Sequence, residues 1–238
     1  MSLNRLVVTK SNALICSSYI LSVNEQRLIL ACAAQVDSRK HLARNNEFFI
    51  TVKDFAEFFG AGKHTCYDQL KETANNLYKR SIDKIEGLSR SRMRWVYKAK
   101  YIQEESAVVL GFSPEIAPYL SSLNKRFTTY KLSEIADLKS GNSIRIYEMM
   151  MQFRDNGKLI ISVENFRERL GITCKYTRYS NLKARVIDKV IQEISTKTNY
   201  DVTCEVEKRG HKVKNLHFYF KSRKPNTVIP ITNPTLPI

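Results

Sequence analysis

Apolar residues in the second half of this chain follow two spacings, one typical of helices and one typical of strands. A helical pattern comes first, a β-branched strand follows, and a shorter helical pattern then ends at Gly171, where glycine is a common stop signal. We call this series the second unit. Its predicted elements are, in order, helix Gly141–Phe153, strand Leu159–Val163, helix Glu164–Leu170, helix Thr177–Ile194 and strands Asp201–Glu207 and Lys214–Lys221 around the turn glycine Gly210.

The same series occurs once before, which indicates an internal repeat. Ile50–Gly60 (ITVKDFAEFFG) aligns with Ile161–Gly171 (ISVENFRERLG) at an offset of 111 residues. In this first unit the predicted elements are helix Ser22–Val36, strand Phe48–Val52, helix Lys53–Phe59, helix Thr65–Ile82 and strands Arg92–Tyr101 and Ala107–Phe112. The chain is therefore predicted to contain two copies of one structural unit.

The order of elements in each unit predicts a fold class. A short helix, a tight turn, a long helix and then a strand hairpin is the arrangement of a winged helix-turn-helix, whose second helix enters the DNA major groove. We therefore predict an α+β fold with two tandem winged-helix domains related by pseudo-symmetry. The expected division is residues 1–125 and 130–221, with Leu123–Lys131 as hinge and boundary and residues 222–238 as a Pro-rich disordered tail.

The long helix Thr177–Ile194 of the second unit divides into an apolar face and a polar face when successive residues are placed 100° apart. The apolar face, expected in the core, contains Tyr179, Leu182, Val186, Ile187, Val190, Ile191 and Ile194. The opposite face contains Thr177, Arg178, Asn181, Arg185, Asp188 and Gln192. Arginine can bind guanine and asparagine can bind adenine through two hydrogen bonds each, so this face suits DNA, although a solvated polar face would look similar.

Charge favours the DNA interpretation. The 238 residues contain 39 Lys and Arg against 23 Asp and Glu, a net charge of +16, which favours a polyanionic partner. Thr173–Lys224 alone contains 13 Lys and Arg against 5 Asp and Glu. The candidate DNA contacts in this region are Lys175, Thr177, Arg178, Asn181, Lys183, Arg185, Lys208, Arg209, His211 and Lys212.

The first unit carries a less cationic version of the same surface. On its long helix the candidate contacts are Thr65, Gln69 and Arg80. Further cations alternate along the predicted strand that follows, and even spacing would place them on one face of a ribbon beside a phosphate backbone. These are Arg90, Arg92, Arg94, Lys98 and Lys100. The alternative is an edge strand that charge protects from pairing with another chain.

Other features argue against several protein classes. The five cysteines (Cys16, Cys32, Cys66, Cys174 and Cys204) include no C-x-x-C pair, so neither a disulfide framework nor a zinc ribbon is expected, and Cys16 and Cys32 are predicted core residues. GAGKHT (Gly60–Thr65) lacks the spacing of a phosphate-binding loop. No apolar run is long enough to cross a membrane, and the N-terminus is too polar for a signal peptide. We expect a cytoplasmic protein without cofactor, metal or membrane partner.

Several segments together resemble the theta-type plasmid replication initiators, the Rep proteins that bind iterons. They are Ser143–Phe153 (SIRIYEMMMQF), Ile161–Ile172 (ISVENFRERLGI), Leu182–Phe218 and the opening Val8–Leu30. The resemblance implies that monomers bind repeated origin sequences and help to open AT-rich DNA. It also implies that dimers joined through the first domain are inactive for initiation and repress their own gene at an inverted repeat. The host initiator and replicative helicase are implied partners, and no catalytic centre is implied.

Two alternatives remain open from the residues. A rolling-circle endonuclease would need a His-hydrophobic-His metal pair, and none of His41, His64, His211 and His217 forms one. A transcriptional repressor with two winged helices would share the DNA-binding surface and lack the role in initiation.

Overall fold

The computed structural model describes residue 3 and residues 6–60, 63–86 and 89–224; for residues 63–66, 84–86, 89 and 90 it describes the backbone alone. The predicted disordered tail therefore lies almost wholly outside the described residues. Among the described residues, no helix is both long and apolar enough to span a membrane.

The first unit contains the predicted elements in the predicted order. They are helix α2 (Val23–Ala33), strand β2 (Phe48–Thr51), helices α3 (Val52–Phe59) and α4 (Lys63–Tyr78), and strands β5 (Val96–Ile102) and β6 (Ala107–Phe112). The β6 strand lies between β2 and β5 and pairs antiparallel with both. A capping box starts α2, because the Ser22 hydroxyl accepts from the Glu25 amide while the Glu25 carboxylate accepts from the Ser22 amide.

One hairpin in this unit was not predicted. Strands β3 (Ser81–Glu86) and β4 (Ser89–Arg94) pair antiparallel, so the predictions of a helix as far as Ile82 and of one strand Arg92–Tyr101 are wrong. Trp95 is fully buried between β4 and β5, and its backbone contacts both Arg80 and Ser113. The chain leaves the small hairpin for the larger sheet at this residue.

The second unit repeats the topology of the first. Its elements are helix α5 (Gly141–Met151), strand β8 (Lys158–Ser162), helix α6 (Val163–Arg169), helix α7 (Tyr179–Leu182), a π-helical stretch (Lys183–Ile187), helix α8 (Asp188–Lys197), and strands β9 (Tyr200–Arg209) and β10 (Lys212–Ser222). The β10 strand lies between β8 and β9, as β6 lies between β2 and β5. The repeat extends to the caps: the hydroxyls of Thr51 and Ser162, 111 residues apart, both accept from a backbone amide three residues later.

Glycine ends both short helices, as predicted. Gly60 and Gly171 have φ values of 68° and 66°, a left-handed backbone conformation that residues with a Cβ atom rarely adopt. Gly210, with φ of 62°, lies in the predicted turn between β9 and β10.

A two-stranded sheet connects the units. Strand β1 (Val7–Ser11), which precedes the short helix α1 (Asn12–Cys16), pairs antiparallel with β7 (Phe127–Lys131). The last five residues of the predicted hinge Leu123–Lys131 therefore form a paired strand, and the domain boundaries stay a prediction. Helix α5 is buried over every residue from Ser143 to Met151, because it packs on α8 and β8 and also on α1, α2 and β7.

The described cysteines are all free, and they differ in burial. Cys32 is buried in the core, as predicted, while Cys16 is half-buried. Cys204 is also half-buried, and its surroundings raise its pKa to about 11 through the loss of water around the thiol. Cys174 is exposed, and the side chain of Cys66 lies outside the described residues.

Candidate nucleic-acid interface

The helical segment Tyr179–Lys197, which we call the recognition segment, has the two faces that its sequence predicts. Leu182, Val186, Ile187, Val190 and Ile194 are buried in the core, while Tyr179 and Ile191 are half-buried at its edge. The outer face is exposed, as predicted, and it consists of Asn181, Arg185, Asp188 and Gln192, with Thr177 and Arg178 immediately before the segment. The apolar side thus fixes the segment against its own unit and leaves the polar side to a partner.

The turn before the recognition segment is held by Arg167 on α6. Its guanidinium donates to the backbone carbonyl oxygens of Tyr176 and Thr177, with N–O distances of 2.6 and 3.1 Å. Tyr176 adopts a φ of 55°, which is uncommon for a residue other than glycine, so this turn needs support from outside. Arg167 was not among the predicted site residues, because nothing in the helix pattern distinguishes a cation that donates to the backbone from one that faces solvent.

The cations of the outer face differ in their partners. The Lys183 ammonium lies 2.7 Å from an Asp188 carboxylate oxygen, and this hydrogen bond raises the pKa of Lys183. Within the described part of the chain, neither the Arg178 nor the Arg185 guanidinium pairs with a carboxylate. Of these three cations, the two arginines are therefore the ones available to bind an incoming acceptor without first losing a bond.

The hairpin β9–β10, which we call the wing, carries a second group of candidate contacts. Arg209 lies directly opposite Lys212 across the turn at Gly210. Lys208, Arg209, His211 and Lys212 are all exposed. Nearer the body of the sheet, the Glu207 carboxylate accepts from the Asn215 amide and lies 3.1 Å from His217, and these contacts lower the pKa of Glu207. The tip of the wing is thus cationic, while the carboxylate below it has partners of its own.

The recognition segment has a groove on each side. The groove toward the wing has a volume of about 1040 Å³ and is lined by Arg167, Thr177, Lys183, Lys208, His211 and Lys212, among others. The groove toward α5 has a volume of about 410 Å³ and is lined by Lys139, Asn142, Arg185, Lys189 and Gln192, among others. Lys139 and Lys189 were not predicted. A helix with a cationic groove on each flank suits a duplex whose two backbones border the major groove.

In the first unit the candidate contacts are mostly engaged within the protein. Gln69 on α4 is exposed, and the side chain of Thr65 lies outside the described residues. Arg80 lies between α4 and β3 rather than on the helix, and its Nε is 2.8 Å from the buried carboxylate of Glu25. Arg80 therefore joins the end of α4 to the start of α2.

The predicted basic ribbon of the first unit is interrupted. Arg92 pairs with Asp83 at 2.9 Å, and Lys98 pairs with Glu47 at 2.5 Å. Arg94 donates to the Tyr78 carbonyl oxygen and lies over the Tyr78 ring. Because buried Trp95 separates β4 from β5, the even spacing does not place these cations on one strand face, and that part of the prediction is wrong. Lys100 is exposed on β5, and the side chain of Arg90 lies outside the described residues.

The described residues hold no cluster of three or more His, Cys, Asp or Glu side chains placed to bind a metal ion.

Two family models match the chain in succession. The model described as "Initiator Replication protein, WH1" matches residues 7–151, and the model described as "Initiator Rep protein, WH2" matches residues 162–220. The chain belongs to this family of initiator replication proteins. The prediction of two winged-helix domains is confirmed.

Relatives of this initiator replication protein support the same assignment. A replication initiation protein of Escherichia coli is 27% identical over 225 residues, which are 91% of this chain and 70% of that protein. An uncharacterized 27.6 kDa protein of Escherichia coli is 21% identical over 207 residues, which are 82% of this chain and 87% of that protein. Among solved structures, the crystal structure of the Pi initiator protein in complex with iteron DNA aligns with a TM-score of 0.77 and 25% identity, over 91% of this chain and 97% of that chain.

Proposed function

We propose that this initiator replication protein starts the replication of a plasmid by binding iterons, the repeated sequences of its origin. The recognition segment enters the major groove, where Arg178, immediately before it, and Asn181 and Arg185 on its exposed face contact base edges. The wing and the two flanking grooves bind the phosphates of the same site. The first unit binds the other part of the repeat through α4, with fewer free cations.

The observation that carries this proposal is the likeness to the Pi initiator protein, which was solved with iteron DNA and aligns over 91% of this chain. Arg178 and Arg185, which are exposed and have no carboxylate partner among the described residues, also support it, because a guanidinium can form two hydrogen bonds to guanine. Most of the candidate cations of the first unit have internal partners, so the second unit is expected to supply the larger part of the affinity.

The remaining steps of the proposal concern assembly. A monomer would bind each direct repeat, favour opening of adjacent AT-rich DNA and help the host initiator to load the replicative helicase. A dimer would bind an inverted repeat and repress the gene that encodes the chain. The protein would act in the cytoplasm, and it would perform no covalent chemistry itself.

A replication assay tests the proposal. A plasmid that lacks any other origin would carry the gene with its flanking DNA, and transformants would be counted with the natural gene and with Arg185→Ala. The natural gene should support replication, and the variant should reduce the number of transformants strongly. If the flanking DNA is bound in vitro but the plasmid never replicates, the chain is a repressor rather than an initiator.

A further inference from the structure

A buried ion pair connects strand β1 to helix α5, on which helix α8 of the recognition segment packs. The Lys10 ammonium on β1 lies 2.7 Å from the Glu148 carboxylate on α5, and both side chains are 1% exposed. The hydroxyl of Tyr130, on β7, donates to the same carboxylate oxygen at 2.8 Å. Arg145 Nη1 lies 3.9 Å from the second oxygen. Three charged groups and one hydroxyl thus meet where the connecting sheet packs on α5.

Further polar contacts join the first unit to α5 and to the residues just before it, and we call this region of contact the joint. Arg145 on α5 donates to the Ser17 carbonyl oxygen at 2.7 Å and lies over the Tyr19 ring at 3.6 Å. In the opposite direction, Arg27 on α2 donates to the carbonyl oxygens of Ala136 and Leu138, just before α5.

Helices α2 and α5 also approach each other closely. A Cβ atom on Gly141 would lie 2.6 Å from the Gln26 amide nitrogen, so any other residue at this position would displace that side chain. The joint therefore combines close packing with hydrogen bonds. Because a hydrogen bond requires a defined distance and angle, these bonds form together only in one relative position of α5 and the first unit.

A buried ion pair of this kind contributes little to stability by itself. The loss of water around two buried charges offsets most of their attraction, and replacing both charges with apolar side chains of similar size is often neutral. Apolar surfaces, however, tolerate several packings, whereas a carboxylate that must face an ammonium and a hydroxyl tolerates few. The pair is better explained by the geometry that it enforces than by the energy that it adds.

We propose that Lys10 and Glu148 are positioning residues that fix the orientation of the recognition segment relative to α4 of the first unit. The chain then selects DNA repeats by the spacing between two half-sites, one bound by each unit. The proposal rests on the proposed function, because it requires both units to bind one duplex. One inserted base pair moves one half-site by about 3.4 Å and rotates it by roughly 35°. A rigid joint cannot follow that rotation, whereas a joint that lacks the ion pair but keeps its other contacts should follow part of it.

The experiment compares spacing profiles. The wild-type chain first selects a duplex from a random-sequence pool, and its two half-sites are located by footprinting. Affinity is then measured for that duplex and for versions with one or two base pairs inserted or removed between the half-sites. We expect wild-type affinity to fall by about tenfold or more per altered base pair. The double variant Lys10→Met, Glu148→Met should fall by about threefold or less.

Two controls separate this role from general stability. Phe48→Leu weakens the core of the first unit, where the Phe48 ring packs on that of Phe112, and it should keep the wild-type spacing profile. All variants should bind an isolated half-site of the second unit as the wild type does. If the double variant does not fold, Glu148→Asp replaces it, since this change keeps the charge but shortens the side chain and should flatten the profile partly.

The outcomes are distinct. A folded joint variant with the wild-type spacing profile overturns the proposal. A wild-type chain that selects no sequence from the pool overturns the proposed function and the spacing role together.

Discussion

Arg167 and Tyr176 are joined by a hydrogen bond of 2.6 Å from the guanidinium of the first to the carbonyl oxygen of the second. The bond holds a residue with φ of 55° at the entrance to the recognition segment. Arg167→Ala should therefore reduce affinity for the cognate repeat by about 1–2 kcal/mol, because the turn that aims Arg178 loses its support.

Arg167→Lys separates the support that Arg167 gives to the turn from the effect of its positive charge on DNA binding. Lysine keeps the positive charge but cannot donate to two carbonyl groups in a fork, so it should restore only the part of the affinity that depends on charge. Arg169→Ala, which removes a cation from the same helix, is the matched control. Calorimetric titration with cognate and scrambled duplexes measures the effect. Full rescue by lysine would contradict the role of the turn.

Base reading is expected from Arg178 and Arg185. Replacing either with alanine should cost roughly 1–3 kcal/mol on the cognate repeat and less on scrambled DNA, because a lost base contact affects only the correct sequence. Competition binding with both duplexes gives the two values. Equal losses on the two duplexes would show that the side chain contacts only phosphate.

Asp188 is expected to limit non-specific binding. Because its carboxylate holds the Lys183 ammonium at 2.7 Å, Asp188→Asn should release a cation and remove a negative charge from the face toward DNA. Affinity for scrambled DNA should rise several-fold, and the logarithmic salt slope should become steeper by about 1. Asp37→Asn, a change of equal charge in a loop of the first unit, should leave both values unchanged. If Asp188→Asn binds scrambled DNA as the wild type does, Lys183 does not reach the phosphate backbone of the DNA.

The wing should account for the larger part of the salt dependence of DNA binding. If six cations of the second unit contact phosphates, the slope of log K against log salt is about −5. Replacing Lys208, Arg209 and Lys212 together with glutamine should make the slope shallower by roughly 3. The control replaces three exposed cations of surface loops, Arg39, Lys40 and Lys125, with glutamine and removes the same charge. Similar slopes for the two triple variants would indicate a general charge effect rather than contacts by the wing.

Tyr130 makes stability depend on pH in the alkaline range. Burial, and then the Glu148 carboxylate, hold the pKa of Tyr130 well above its ordinary value. The unfolded chain loses this proton near pH 10 while the folded chain keeps it, so the free energy of unfolding falls as pH rises above about 10.

Tyr130→Phe should remove this contribution. Below pH 9 the variant should be less stable than wild type by a nearly constant amount, about 1 kcal/mol, because it lacks the hydrogen bond to Glu148. Above pH 10 the wild type should lose about 1.4 kcal/mol per pH unit more than the variant. Urea unfolding from pH 7 to pH 11.5 measures both regimes, and parallel curves throughout would contradict the assignment.

The repeated architecture could be predicted because its signals are local. Glycine ends both short helices, and the apolar stripe of the recognition segment marks its buried side. The hairpin β3–β4 was missed for a physical reason. Ile82 satisfies the helical spacing that begins at Leu70, so periodicity alone extends α4, whereas the side chain is buried by pairing opposite Met93.

The partners of the charged residues could not be predicted in the same way. On α5, the sequence pattern would assign Arg145 and Glu148 to the solvent-exposed face of an amphipathic helix. In the structure both are buried, because the first unit covers that face. Lys183 and Lys98 likewise looked like free cations, although each has a carboxylate partner. Such partners come from distant parts of the chain or from the conformation of a long side chain, and neither is encoded in spacing.

Strand β1 must wait for its partner during synthesis. Residues 7–11 pair with residues 127–131, so more than a hundred residues must be translated between them. At about 5–20 residues per second, the nascent strand stays unpaired for roughly 6–24 s. Lys10 waits longer, because Glu148 lies on a helix made later still. Among the described strands, β1 is thus made before the others and reaches its final place late, and until then its unpaired edge is where a chaperone or a second nascent chain can bind.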